Sequence, residues 1–357
     1  MSDAPIRTAL LGASGYIGQH FARLLDAHPE FGPPLLGAGE RSEGRSLSEV
    51  WLLAEPPPPL LGGRRLTRLT PAGLARAGVR VVFSALPSGT AGPLETELVR
   101  RGISVFSNAA DHRMDPTVPL LVPEVNAGHL VLAAHRPRGR GMLVTNPNCS
   151  ATGLVVALAP IVPLLRPRAV HVATYQSISG AGYPGVPSLA VTDNVVPFIR
   201  EEEEKMEHES ARLLGALRGG RVHPVRYPFV AHCARVATRE GHLEAVTVDA
   251  SRRPSLGELR TAWRSFDPLG ALDLPTAPHP PIEVRAEADR PQPVRDRWAG
   301  SPARARGMAV VVGRVRWEPP YLRFFVLSHN AVRGGAGGSV LNAELALREG
   351  YLGRGRA

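Results

Sequence analysis

The fold of the first part of the chain is decided by the stretch Arg7-Thr8-Ala9-Leu10-Leu11-Gly12-Ala13-Ser14-Gly15-Tyr16-Ile17-Gly18. Residues 7–11 indicate a buried strand, the glycines follow in a G-x-x-G-x-x-G pattern, and a helix continues to about Ala27. Such glycines let the backbone approach a pyrophosphate at a helix N-terminus. The pattern predicts an α/β, Rossmann-type dinucleotide-binding domain, although a tight strand-to-helix turn also uses glycines without a ligand.

The choice of cofactor depends on the end of the second predicted strand, near Leu35–Gly39. Glu40 lies where an acid can hold a ribose 2′-hydroxyl, whereas Arg41 and Ser42 can hold a 2′-phosphate. We therefore expect NADP. Further buried strands are predicted at Val79–Ser84 and Ser104–Ser107, and ligands bind at the carboxyl ends of such strands.

Composition excludes several classes of protein. The chain has 357 residues and 43% hydrophobic content, with no apolar run of the roughly 18 residues that a membrane span needs. No signal peptide is evident, so we expect a cytoplasmic protein. The formal charge of +10 comes from scattered arginines without interleaved aromatics, which argues against nucleic acid binding. Lys205 is the only lysine, and we expect no metal site.

A single cysteine, Cys149, lies in the polar loop Asn146–Gly153. A strand edge at Gly141–Thr145 precedes it, and an apolar helix over Leu154–Val162, interrupted near Pro160, follows. Cys149 is therefore predicted at a helix N-terminus, where the dipole favours a thiolate nucleophile. The alternative is a small buried hydrophobe, which the polar neighbours disfavour.

The remaining elements are predicted from periodicity and turn residues. Val230–Val236 and Leu243–Val248 are expected to be paired strands, with Thr238–His242 between them. The segment Leu52–Leu69 is expected to be irregular and without chemistry. The other expectations are a strand at Val170–Ser177, an irregular loop at Ser179–Pro187, a helix from Glu201 to about Leu217, strands at Met308–Arg316 and Leu322–Leu327, and a last helix from Ser339 to about Gly350.

Several stretches together resemble aspartate-semialdehyde dehydrogenase, in the branch found in archaea, fungi and some bacteria. They span the chain: Gly12–Gly18, Ser84–Ser88, Pro119–Asn126, Asn146–Gly153, Gln176–Pro187, Glu202–Met206, Arg235–His242, Arg290–Pro293 and Gly337–Ala343.

The resemblance implies a glyceraldehyde-3-phosphate-dehydrogenase-like architecture. A Rossmann-type NADP domain would comprise residues 1–148 and 331–357, and a catalytic and oligomerisation domain with a mixed sheet would comprise residues 149–330. The implied reaction is reversible, NADP-dependent reductive dephosphorylation of L-aspartyl-4-phosphate through a cysteine thioester. It would serve the biosynthesis of lysine and diaminopimelate, threonine and methionine, in a homodimer or homotetramer.

The resemblance also implies roles for individual residues. Cys149 matches the nucleophile, His242 the acid/base and Gln176 the residue that orients the acyl group. Arg235 matches the carboxylate-binding arginine and Glu202 the acid that receives the amine, while Lys205, Arg113 and Asn148 match the phosphate-binding group. The cofactor residues would be Gly12, Ser14, Gly15, Tyr16, Ile17, Arg41, Ser42, Ser84, Leu86, Pro87, Ser179, Gly180 and Asn330.

The alternative is a related acyl-phosphate or acyl-CoA reductase of a specialised pathway, of the N-acetyl-glutamyl-phosphate or malonyl-CoA type. Ala151, Ala234, Arg239 and Gly39 depart from common family residues and leave room for another acyl group. Glu202 disfavours an acetylated amine. A non-catalytic NADP-binding protein would be expected to lack Cys149 or His242.

Overall fold

The structure, a computed structural model, describes residues 4–135 and 139–353. The strands are β1 (Thr8–Leu11), β2 (Leu35–Gly37), β3 (Val81–Ser84), β4 (Ser104–Ser107), β5 (Leu143–Thr145), β6 (Pro167–Gln176), β7 (Ala216–Arg218), β8 (Arg221–His223), β9 (Phe229–Arg235), β10 (His242–Ala250), β11 (Ile282–Val284), β12 (Val310–Glu318) and β13 (Tyr321–Ser328). The helices are α1 (Tyr16–Leu25), α2 (Pro71–Arg76), α3 (Ala91–Arg100), α4 (Pro123–Asn126), α5 (Cys149–Leu158), α6 (Val162–Leu165), α7 (Ser188–Val191), α8 (Glu202–Leu213), α9 (Leu256–Arg264), α10 (Pro293–Asp296) and α11 (Gly337–Arg348). No helix of the described residues is long and apolar enough to cross a membrane.

The chain divides into two compact units. The first consists of Met1–Leu121, Gly128–Asn146 and Ala336–Ala357, so far as these are described, and the second of Val122–Ala127 and Pro147–Gly335. The segments 122–127, 147–148 and 331–335, which the sequence analysis assigned to the first domain, group with the second unit. Glu124 in the first of these segments binds Arg333 in the last, and Gly334 lies against Cys149.

The first unit is built on a five-stranded parallel sheet in the order β2-β1-β3-β4-β5. Its central strands β1 and β3 are buried throughout and mostly apolar, as a parallel sheet covered on both faces requires. Phe83 of β3 lies with its ring centroid 5.5 Å from those of Phe21 and Phe31 and 6.0 Å from that of Phe106. The predicted Rossmann-type topology is confirmed.

The second unit contains a six-stranded mixed sheet in the order β11-β12-β13-β10-β6-β9. The expectation that residues 230–236 and 243–248 form paired strands is wrong, because β6 lies between β9 and β10 and pairs with both. The pairing of β6 with β9 is parallel, and that with β10 is antiparallel. The helix predicted to reach Leu217 ends at Leu213, and Leu217 lies in the β7–β8 hairpin.

Alternate residues of β10 are buried, so one face of the strand carries His242, Glu244 and Val246 inward. Helices α5 and α8 pack together and lie on strands of this sheet. Trp263 of α9 is completely buried, donates its indole N–H to the carbonyl oxygen of Ala157 over 2.8 Å, and packs edge-on against Phe324. This tryptophan therefore ties α9 to the helix that begins at Cys149.

We expect Trp263→Phe to lower the free energy of unfolding of the second unit by about 1–3 kcal/mol, because the buried carbonyl oxygen of Ala157 loses the indole N–H donor. Trp263→Ala should cost about 3–5 kcal/mol, because it also leaves a cavity. Urea unfolding followed by circular dichroism measures both. The control is Trp317→Phe, which removes a similar bond to the carbonyl of Pro254 at a half-buried position and should cost less. Equal losses at positions 263 and 317 would contradict this account.

Candidate active site

Cys149 is the first residue of α5, as the sequence predicts. The side-chain oxygen of Asn148 caps this helix by accepting bonds from the backbone N–H groups of Ser150 (2.9 Å) and Ala151 (3.1 Å). The backbone N–H of Asn148 itself donates to the buried carboxylate of Glu209 in α8 over 2.6 Å. The polar loop is thus fixed from both sides, and the cysteine sulfur lies at the positive end of the helix dipole.

The sulfur of Cys149 lies 3.2 Å from Nε2 of His242. The other ring nitrogen, Nδ1, accepts a hydrogen bond from the backbone N–H of Ser177 over 3.1 Å. A backbone N–H can only donate, so Nδ1 carries no proton and the neutral imidazole carries its proton on Nε2. That proton points at the sulfur and stabilises a thiolate.

Burial, reinforced by the charges of Arg235 and His329, lowers the pKa of His242 from 6.5 to about 3. The side chain is completely buried, and a cationic imidazole there would be both desolvated and repelled by Arg235. His242 is therefore neutral at physiological pH. In this neutral form Nε2 presents a hydrogen-bond donor to the sulfur, and the acid/base role that the resemblance implies stays a prediction.

Gly334 lies directly against the cysteine. A Cβ atom at this position would lie 2.6 Å from Cβ of Cys149, closer than any side chain permits. The preceding residue, Arg333, is completely buried and binds both carboxylate oxygens of Glu124, at 2.8 and 2.7 Å. This ion pair anchors the segment that carries Gly334 and so sets how closely the backbone approaches Cys149.

Arg235 lies at the end of β9, with one guanidinium nitrogen donating to the carbonyl oxygen of Ser177 over 2.8 Å. Burial lowers its pKa from the ordinary value, while Cys149 and Glu202 act electrostatically in the opposite direction. A Cβ atom on Gly180 would lie 2.6 Å from this guanidinium and 3.2 Å from Nε2 of His242. Gly180, which the sequence analysis assigned to the cofactor, thus keeps space open between the arginine and the histidine.

Gln176 and Glu202 form a buried pair, in which the amide nitrogen of Gln176 donates to a carboxylate oxygen of Glu202 over 2.8 Å. Glu202 is the first residue of α8, where the helix dipole favours a negative charge. Lys205 lies one turn later, partly exposed, with its ammonium 3.0 Å from the carboxylate of Glu201. The structure therefore gathers Cys149, His242, Arg235, Gln176 and Glu202 in the second unit.

Glu244 is a buried carboxyl group that the sequence analysis did not identify. It follows His242 by two residues on the same face of β10. Neither carboxyl oxygen has a hydrogen-bond partner among the described residues. Burial, together with the negative charge of Glu202, raises the pKa of Glu244 well above 4.5. The protonated, neutral form of the Glu244 carboxyl group is therefore favoured.

Asn330 and Ser179, assigned to the cofactor by resemblance, are joined to the loop that holds His242. The oxygen of Asn330 accepts from the backbone N–H of Gly241 over 2.9 Å and from the hydroxyl of Ser177 over 3.2 Å. Its amide nitrogen donates to the hydroxyl of Ser179 over 2.9 Å. This network fixes Gly241, immediately before His242, and also Ser177, whose backbone N–H determines the tautomer of His242.

The first unit contains the glycine turn. Gly12 has a φ of +75°, and a Cβ atom there would lie 2.7 Å from the carbonyl oxygen of Ala85. A Cβ atom on Gly18 would lie 2.0 Å from the carbonyl oxygen of Gly12. Helix α1 begins at Tyr16 without a side-chain cap, and the dipole at its N-terminus favours an anion.

A cavity of about 750 Å³ adjoins this turn. Of the assigned cofactor residues, Gly12, Ser14, Arg41, Ser42 and Leu86 line it, together with Glu40 and Arg68. Arg68 lies in the segment expected to be without chemistry, and its guanidinium is 3.3 Å from the carboxylate of Glu40.

The remaining residues assigned to the cofactor in the first unit do not line this cavity. Ser84 is completely buried at the end of β3, Tyr16 and Ile17 are half-buried in the first turn of α1, and Gly15 and Pro87 are exposed. Arg113 also belongs to the first unit, where it donates to the carbonyl oxygen of Asn108 over 2.7 Å.

Sequence reasoning missed Ser177, Glu209, Glu244 and Gly334. The glycine pair at 334–335 was a usable signal, since two glycines before a helix indicate close backbone approach. The role of Ser177 belongs to its backbone N–H and leaves no trace in the side-chain pattern.

The lowered pKa of His242 has a consequence for stability. The unfolded chain binds a proton at this position below pH 6.5, whereas the folded protein does not until about pH 3. The contribution of His242 to the free energy of unfolding is therefore fully present above pH 6.5, and it is lost as the pH falls toward 3. Between pH 7.5 and 5 the loss should be about 2 kcal/mol, and His242→Gln should abolish it.

The matched control is Glu244→Gln. The raised pKa of Glu244 makes its contribution greatest below pH 4.5 and weaker as the pH rises, so this variant should change the pH dependence in the opposite sense. Urea titrations at a series of pH values measure both. Parallel curves for the wild type and His242→Gln would contradict the assignment.

Comparison with known proteins agrees with this geometry. Residues 7–133 match the semialdehyde dehydrogenase NAD-binding domain, and residues 158–333 match the semialdehyde dehydrogenase dimerisation domain. Aspartate-semialdehyde dehydrogenase of Archaeoglobus fulgidus is 43% identical over 95% of this chain and 97% of its own length. A malonyl-CoA reductase (NADP) of Metallosphaera sedula is 37% identical over 97% of this chain and 98% of its own.

A solved structure has the same fold over nearly the whole chain. The aspartate-semialdehyde dehydrogenase of Candida albicans, crystallised with NADP, superposes with a TM-score of 0.86 at 33% identity, covering 97% of this chain and 99% of its own. With the glycine turn in one unit and the cysteine–histidine pair in the other, the chain belongs to the semialdehyde dehydrogenase family.

Proposed function

We propose that this protein is an NADP-dependent aspartate-semialdehyde dehydrogenase. It would convert L-aspartyl-4-phosphate and aspartate-4-semialdehyde into one another through a thioester on Cys149. The observation that carries this proposal is the sulfur of Cys149 at a helix N-terminus, 3.2 Å from an imidazole nitrogen that carries a proton. From the resemblance to the biosynthetic enzymes, we further propose that the reaction serves lysine and diaminopimelate, threonine and methionine synthesis.

In the reductive direction, the thiolate of Cys149 attacks the acyl carbonyl carbon of the substrate. The bond from carbon to the phosphate oxygen breaks, phosphate leaves with the electron pair, and the acyl group is held as a thioester. When the aldehyde forms at that carbon, the carbon–sulfur bond breaks and Cys149 leaves as a thiolate. The Nε2–H of His242 stabilises the sulfur each time it carries negative charge. No reorganisation is needed, because this donor is already in place.

The cofactor fits the first unit. Gly12 and Gly18 give the tight strand-to-helix turn of a pyrophosphate site, and Arg41 and Ser42 line the adjoining cavity where a 2′-phosphate would be held. Bound NADP supplies the hydride exchange at the acyl carbon. Glu40 forms only an exposed, weak ion pair with Arg68, so the proposed preference for NADP rests on Arg41 and Ser42.

The charged groups around Cys149 suit an α-amino acid. Arg235 would bind the α-carboxylate through its remaining N–H groups, and Glu202 would bind the ammonium with the oxygen that Gln176 leaves open. Lys205, Arg113 and Asn148 remain the proposed phosphate ligands. Lys205 would exchange its exposed partner Glu201 for phosphate, and exposed ion pairs of this kind are weak.

The test is phosphate-dependent reduction of NADP⁺ by the purified protein with L-aspartate-4-semialdehyde. Matched reactions contain N-acetyl-glutamate-5-semialdehyde with phosphate, or malonate semialdehyde with coenzyme A. We expect turnover with the first substrate only, and none without phosphate. Turnover with malonate semialdehyde and coenzyme A instead would favour the second candidate, which the similarity to a malonyl-CoA reductase supports.

Glu202→Gln separates these substrates further. It should lower kcat/KM for aspartate-4-semialdehyde, because the buried ammonium loses its counter-ion. The expected loss of transition-state stabilisation is about 2–4 kcal/mol. Glu203→Gln, one residue later in the same helix, is the control and should have little effect. Unchanged kcat/KM in the Glu202 variant would remove its role in amine recognition.

We also propose that the protein is a homodimer or a homotetramer, and that pairs of copies contact each other through the second unit. The matched dimerisation domain covers it, and large apolar side chains are exposed in one segment, with Leu189 at 91%, Phe198 at 72% and Tyr183 at 67%. Leu189→Ser with Phe198→Ser should shift the sedimentation coefficient toward that of a monomer, while Val294→Ser, equally exposed outside this segment, should not. An unchanged assembly in the double variant would contradict this interface.

A further inference from the structure

A second cavity, of about 310 Å³, lies in the second unit. Two residues of α9, the segment from the end of β11 to Ala288, and part of β12 line it. It shares no residue with the cavity beside the glycine turn or with the group around Cys149. Its lining is dominated by arginines: Arg260, Arg264, Arg285, Arg314 and Arg316.

The charge of this cavity is not balanced by its own acids. Glu287 is the only acidic residue of the lining. Arg285 is neutralised by Glu283 at 2.7 Å and Asp296 at 3.3 Å. The other four arginines form no ion pair with a carboxylate within the described part of the chain.

Folding alone disfavours these positions for arginine. Arg260 and Arg264 are four residues apart on α9, where like charges repel. Arg316 lies directly opposite Arg323 in the β12–β13 register, a like-charged pair in which only Arg323 has a carboxylate partner, Glu318 at 3.4 Å. Arg314 adopts a left-handed backbone with a φ of +51° and lies 5.9 Å above the ring of Phe325. An anion bound between these two elements would relieve the repulsion.

We propose that this cavity binds a small anion carrying several phosphate groups, either an inorganic polyphosphate or the phosphate chain of a nucleotide. Guanidinium groups recognise phosphate oxygens through paired N–H donors. Four such groups line a cavity whose volume is near the lower end of the range for small-molecule sites. The lining contains no aromatic side chain. Recognition therefore rests on charge and not on stacking of a base, which also disfavours single-stranded nucleic acid.

The experiment is isothermal titration of the intact protein, saturated with NADP⁺, with inorganic tripolyphosphate. Three proteins are compared: the wild type, the variant Arg260→Gln with Arg264→Gln, and the control Arg218→Gln with Arg221→Gln. The control removes an exposed, like-charged pair from the β7–β8 hairpin, outside the cavity. We expect at least a tenfold loss of affinity, about 1.4 kcal/mol, in the first variant and no change in the control.

Thermal unfolding gives a second readout. Without anion, the Arg260/Arg264 variant should melt at or above the wild-type temperature, because repulsion has been removed. With anion, it should gain less stability than the wild type, since binding to the folded state alone raises Tm. If this variant fails to fold, Arg316→Gln replaces it with the same expectation.

The ligands distinguish the possible sources. Binding of ATP and tripolyphosphate with similar affinity, each above that of inorganic phosphate, supports a site for the phosphate chain. Tighter binding of tripolyphosphate than of ATP supports an inorganic occupant. Equal losses in the variant and the control, no binding by the wild type, or tighter binding of a short single-stranded oligonucleotide would each overturn the proposal.

Discussion

The catalytic geometry depends on one hydrogen bond, from the backbone N–H of Ser177 to Nδ1 of His242. Because this donor cannot reverse, it fixes the proton of a buried, neutral imidazole on the nitrogen that faces Cys149. Asn330 in turn holds both Ser177 and Gly241. The sulfur therefore meets two oriented, partly positive groups, the Nε2–H and the start of α5, and the guanidinium of Arg235 also acts on it electrostatically.

The same site avoids an excess of negative charge. The negative charge of Glu202 contributes to the raised pKa of Glu244, whereas Glu202 itself accepts a hydrogen bond from Gln176 in the first turn of α8. Glu244 keeps its proton because burial leaves it no partner. Beside the thiolate, the site then offers one carboxylate and one guanidinium, which is the complement of a zwitterionic amino acid.

The sequence allowed the elements that carry local signals to be predicted. Cys149 at the start of a helix follows from the polar loop before an apolar run, and the glycine turn follows from its spacing. The order of strands in the second sheet did not follow, because β9 and β10 are close in sequence but separated by β6. Closeness in sequence favours pairing of β9 with β10, but the tertiary structure inserts β6 between them. Glu124 and Arg333 are likewise far apart in the chain, and only the folded structure shows that their bond positions Gly334 against Cys149.

The central claim is that the acyl group is carried by Cys149 and released to phosphate. The most direct measurement is mass spectrometry of peptides from protein mixed with L-aspartate-4-semialdehyde and NADP⁺ without phosphate, then quenched in acid. The account predicts an aspartyl thioester on the peptide that contains Cys149, none on the peptide that contains Cys233, and its disappearance after a chase with phosphate. Turnover without any adduct on Cys149, or an adduct that phosphate does not discharge, would contradict it.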